Sequence, residues 1–146
     1  MKTNSIFILM FIFGYNFCNA QNPVYKEATL SHPAELWESV KLANDGSNIL
    51  NGVHFYGYIG ECNSVKVKFI KLVNLNSYPV KFNYQLSETS SVITVSVPAS
   101  VSIDGTCEST DQNLRKLVVT IPSVNDEVAK KNKEFLQSHI SVTKAE

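Results

Sequence analysis

The sequence predicts a mainly β domain, folded as an antiparallel sandwich or barrel. Short apolar–polar alternations of period two fill the middle of the chain. Turn-forming residues punctuate them at intervals of about 8–12 residues, the spacing of short antiparallel strands. No strand pattern alternates with long helical stretches, as a parallel α/β sheet requires.

The elements follow in chain order. Met1-Lys2 is a short positive start, and Ile6 to Phe13 is almost wholly apolar. Small residues, Cys18 and Ala20, then stand where a signal peptidase reads. Residues 1–20 are therefore expected to be a secretory signal peptide cleaved before Gln21. The apolar run falls short of the roughly 20 residues that span a bilayer, so no membrane span is expected after cleavage. Bulky Phe17 and Asn16 ahead of Cys18 disfavour lipid attachment there.

Residues 21–51 form an N-terminal extension with a short helix. That helix is predicted over Pro33 to Ala43, with proline in its first turn and Leu36, Val40 and Ala43 on one face. Asn44-Asp45-Gly46 stops it, and Trp37 is placed to plug the open end of a sandwich.

Residues 52–122 hold the sandwich core. Gly52 to Gly60 is rich in β-formers. Val65, Val67 and Phe69 share one face, then the phase slips to Ile70 and Leu72, as a β-bulge would produce. After the turn-rich link Asn74 to Pro79, Val80, Phe82, Tyr84 and Leu86 alternate with polar residues, and Ser87 to Ser91 is a polar loop. Ile93, Val95 and Val97 follow, stopped by Pro98. Val101 and Ile103 end at the turn pair Asp104-Gly105, and Leu117, Val119 and Ile121 are closed by Pro122. Ser96, Ser100 and Ser102 fall on the outward phase of their strands.

Residues 123–146 read as a helical tail. Its helix, about Asn125 to Ser138, has Asp126 and Glu127 in the first turn and Lys130, Lys131 and Lys133 later, matching the helix dipole. The apolar stripe of Val124, Val128, Phe135 and Leu136 is thin, so the helix is expected to be peripheral.

Thirteen basic and thirteen acidic side chains cancel. With no positive field to replace counterions on phosphates, a nucleic-acid partner is disfavoured. Without its leader the chain has 126 residues, twelve basic side chains against thirteen acidic, and two cysteines, Cys62 and Cys107. In an oxidising compartment such a pair is expected to bond, which constrains the unfolded chain by roughly 4 kcal/mol. Neither cysteine has the close-spaced ligands of a metal site. Asn63-Ser64-Val65 and Asn76-Ser77-Tyr78 fail as glycosylation sequons, which is compatible with a bacterial exported protein.

Chemistry-bearing motifs are scarce. His32, His54 and His139 have no i,i+4 partner, and no nucleophile elbow, phosphate loop or dinucleotide fingerprint occurs. The expectation is no catalytic residue, no metal and no cofactor. Two constellations carry alternatives. A Cys62–Cys107 bridge would draw Glu61, Asp104, Glu108 and Asp111 together, as a calcium or acid–base site or simply as a wet loop rim. His54, Tyr56 and Tyr58 share one strand face. That face is either a sugar- or peptide-contacting surface or the packed side of the sheet, the commoner fate of strand aromatics.

The segment Lys66 to Pro122 resembles immunoglobulin-like or fibronectin-type modules of exported bacterial proteins. The resemblance lies in Leu72-Val73-Asn74-Leu75-Asn76 followed by Pro79-Val80-Lys81-Phe82-Asn83-Tyr84, then Val97-Pro98-Ala99 before Val101-Ser102-Ile103. It implies an antiparallel immunoglobulin-like β-sandwich and offers no catalytic residues. The Cys…Trp…Cys order of immunoglobulin domains is missing, since Trp37 precedes both cysteines. The expected function is a non-enzymatic, secreted or periplasmic module, used for binding or as a structural or accessory part of the cell envelope. Its partner would be a protein or a glycan. The alternatives are a small hydrolase or calcium-binding enzyme using the loop carboxylates, and an inhibitor or immunity-type protein.

Overall fold

The fold comes from a computed structural model, which describes residues 26–27, 32–42, 46–121 and 139–146. The leader (1–20) and the helix expected over 125–138 lie outside the described residues. What is described is mainly β and forms two sheets.

The larger sheet contains seven strands: β1 (Lys26–Glu27), β2 (Glu38–Ser39), β3 (Ile49–Leu50), β4 (Val53–Cys62), β5 (Val65–Asn74), β8 (Val101–Asp104) and β9 (Val118–Thr120). Its order is β1-β8-β5-β4-β2, with β3 also on β4 and β9 also on β5. The smaller sheet runs β10 (Ile140–Lys144), β6 (Val80–Tyr84), β7 (Ile93–Val97). Every pairing is antiparallel except β1 with β8.

Two hairpin turns build the centre of the large sheet. Asn51 (φ 47°) and Gly52 (φ 75°) join β3 to β4, and Asn63 (φ 50°) and Ser64 (φ 63°) join β4 to β5. Two successive left-handed residues match the right-handed twist of the flanking strands. At Gly52 a side chain would also run into that of Asn76.

The sheets bury one core between them. Val53, Phe55 and Leu72 from the large sheet meet Val80, Phe82, Tyr84, Val95, Val97 and Val142 from the small one. Phe55 and Phe82 touch across the interface, ring centroids 5.4 Å apart. At one end of the core lies Asn74, fully buried, its amide donating to the carbonyls of Tyr78 (3.0 Å) and Pro98 (2.9 Å). Its Oδ1 accepts from the Asn76 backbone at 3.0 Å. Thus the asparagines of the β5–β6 link satisfy chain reversals that would otherwise leave buried carbonyls unpaired.

Several expectations need correction. The helix read over Pro33 to Ala43 is one 3-10 turn, Ala34–Leu36, after which Glu38 and Ser39 pair with Gly57 and Tyr56 as β2. The sheet edge offered by β4 outbids a short helix that has few residues to bury. The helix that does form is Gln112–Arg115, α1, capped by the Asp111 side chain at 2.8 Å from the Asn113 N–H. Ile140–Lys144, read as part of the helical tail, pair with β6 over five residues. No bulge interrupts β4 and β5, whose register is continuous from Val53↔Asn74 to Cys62↔Val65. The phase slip at Ile70 instead marks a change in which face is buried. Leu72 and Asn74 face the small sheet, whereas Val67 and Phe69 are buried on the opposite side. Among the described residues no helix is long and apolar enough to cross a membrane.

Cys62 and Cys107 are bonded, with Cα atoms 6.0 Å apart and a sequence separation of 45. The bridge fastens the outer end of β4 to the loop after β8, two parts attached to the same sheet.

Candidate functional site

Side chains on the face of the large sheet turned away from the core fall into cross-strand rows. One row reads Asp104, Lys71, Tyr56, Ser39, and beside it stand Phe69 and Tyr58 on one flank and Val73 and His54 on the other. Strand periodicity dictates this. With Val53 and Phe55 in the core, His54, Tyr56 and Tyr58 must face outward. The sheet-packing reading of the stripe therefore holds for Val53 and Phe55, not for His54, Tyr56 and Tyr58. The three are half-buried on the outer side.

They do not act as one stripe. Tyr58 belongs to an aromatic cluster, stacked on Phe69 at 4.8 Å and met edge-on by Trp37 at 4.9 Å and His32 at 5.2 Å. Trp37 therefore does not plug the end between the sheets; it covers the outer face. Its indole N–H is buried with no hydrogen-bond acceptor. Tyr56 and His54 form a separate pair, rings nearly parallel (25°) with centroids 6.4 Å apart and the hydroxyl 3.5 Å from His54 Nδ1.

Lys71 joins the two groups. Its ammonium stands 5.8 Å from the ring centroid of Trp37 and 5.8 Å from that of Tyr56. A cation over two ring faces is attracted by their quadrupoles. In register opposite Lys71 lies Asp104, only 4% exposed. The Asp104 carboxylate is engaged with His32 Nδ1 at 3.0 Å. Burial, and then the Asp104 charge, push the Tyr58 phenol upward from its ordinary value, so this ring stays neutral well into the alkaline range.

The four carboxylates near the bridge do not gather. Asp104 is buried under His32, Asp111 caps α1, and Glu61 and Glu108 are exposed. Among the described residues no three His, Cys, Asp or Glu side chains are grouped to hold a metal ion. His139 lies at the entry to β10, where its carbonyl accepts from Gln85. Ser102, read as outward and wet, is buried and its hydroxyl has no hydrogen-bond partner, so it is not joined to the His32–Asp104 pair. Between the sheets a small, largely apolar cavity of about 40 Å³ opens to solvent, lined among others by Val40, Phe55, Tyr56, Lys68, Ile70 and Phe82.

Sequence reasoning missed Trp37, Lys71 and the His32–Asp104 contact as parts of this face. A signal existed for Lys71, a charge set between Ile70 and Leu72 on the opposite strand phase. None existed for His32 and Asp104, which are 72 residues apart. Comparisons with protein-family models, with curated proteins and with solved structures return no match.

Proposed function

We propose that the chain is a non-enzymatic, exported binding module of immunoglobulin-like two-sheet architecture, and that it engages a cell-envelope partner through the outer face of its large sheet. Export is supported by the leader pattern of residues 1–20 and by a disulfide of the kind that persists in oxidising compartments. The architecture is supported by two separate antiparallel sheets around one core.

One observation carries the binding role: Tyr56, Trp37 and Lys71 stand together, half-buried, on the sheet face turned away from the core between the sheets. Aromatic rings with polar tips supply contact area at little entropic cost, and a fixed cation adds direction. The test is retention of the purified protein on immobilised envelope polysaccharide and envelope protein fractions, with Tyr56→Ala as the comparison. Retention that Tyr56→Ala abolishes supports the reading. Retention by neither fraction, or retention indifferent to Tyr56, removes it.

A further inference from the structure

We propose that the ligand of this face is a carboxylate-bearing sugar chain of the uronic-acid type. The inference rests on the binding role above and adds the ligand's chemical class.

Lys71 is the starting point. Its ammonium stands 5.8 Å from the ring centroids of Trp37 and Tyr56, and among the described residues no carboxylate lies within 4.0 Å of it. Asp104, the acid opposite it in register, is almost wholly inaccessible and occupied by His32. Among the described side chains, the accessible charge in the middle of this face is therefore a single positive one. An ammonium set over two ring faces, with no carboxylate in contact among the described residues, is available to an anion.

The neighbours of Lys71 fix the rest of the ligand. Tyr56 and His54 present nearly parallel rings, a platform for the C–H face of a pyranose. A carboxylate borne directly on such a ring lies beside the platform, where the ammonium stands. An acidic peptide fits less well, because extended peptides bind largely by main-chain hydrogen bonds at a free sheet edge. At Tyr56 and Lys71, β4 and β5 are paired on both sides, by β2 and β8 as well as by each other, so at these positions the face recognises through side chains.

Trp37 is the only tryptophan of the chain, and its fluorescence reports directly on Lys71. The purified protein is titrated with trigalacturonate, with the methyl ester of the same trisaccharide, and with hexaglutamate. The acid is expected to bind about tenfold or more tightly than its ester, the worth of one charge-assisted contact. Lys71→Gln should cut affinity for the acid by a similar factor, and a urea midpoint close to the parent's shows the variant folded. Lys71→Arg should retain most of the acid affinity. Equal affinity for acid and ester overturns the acidic class while leaving the binding role intact. Tighter binding of hexaglutamate overturns the sugar in favour of a peptide. Binding of none of the three at millimolar concentration overturns this inference together with the reading beneath it.

Discussion

The two faces of the β4–β5 hairpin are made by the same twenty strand residues and do opposite things. On the inner face Val53, Phe55 and Leu72 are 0–3% exposed and meet an apolar sheet. On the outer face Tyr56, His54 and Lys71 stay half-buried, and the buried polar groups Asp104 and Ser102 lie along the same side of β8. Apolar burial is what holds a small domain together. The outer face mixes buried Val67 and Phe69 with a cation set between rings and, among the described residues, a buried hydroxyl without a partner.

The sharpest way to break this contrast is a pair of adjacent truncations on β5. Leu72→Ala removes a fully buried side chain and is expected to cost about 4 kcal/mol, transfer and cavity terms together. Val73→Ala, one residue on and facing outward, is expected to cost about 1 kcal/mol. Urea unfolding with a common m-value measures both. Equal losses would mean that the outer face is a second core.

Legibility in the sequence divides along the same line. The alternations at Val80–Leu86, Ile93–Val97 and Leu117–Ile121 marked inward residues within the strands, because one buried face leaves a period-two trace. Past the strand ends, Leu86 is 37% exposed and Ile121 only half-buried. β5 misled for the converse reason. Its first half is buried on the outer side under the Trp37 segment and its second half on the inner side, so a continuous strand imitates a bulge. Two-residue β2 and β3 are too short to show any period. The Asn51-Gly52 pair was a readable hairpin signal that was overlooked. The outer face resisted reading since its members come from four separate stretches: His32, Trp37, β4–β5 and β8. Only tertiary structure brings them together.

The second contrast concerns two buried tyrosines. Tyr84 sits in the core, 2% exposed, and donates its hydroxyl to the Lys116 carbonyl. Burial pushes its phenol up to about 12. The folded state then holds a proton that the unfolded chain releases near pH 10. The associated stability is whole below pH 10 and is lost as the pH rises towards 12, a total of about 2–3 kcal/mol. A urea-midpoint series from pH 9 to 12 should show that fall, and Tyr84→Phe should flatten most of it. Tyr58, on the outer face, is raised through burial and the Asp104 charge and contributes in the same direction. A slope unchanged in Tyr84→Phe would show that Tyr84 is not the group that titrates.

The smallest expected effect is the most informative about the outer face. Lys71→Gln removes two cation–ring contacts at 5.8 Å, each worth about 0.5 kcal/mol or less at a half-exposed site. The change in stability should therefore stay within about 1 kcal/mol, a thermal midpoint shift of a few degrees at most. A drop of several degrees would make Lys71 a structural strut between Trp37 and Tyr56. A near-zero shift combined with a tenfold loss of acid-sugar affinity would separate the two faces by function: Leu72 sets whether the domain folds, and Lys71, the residue before it, sets what the folded domain holds.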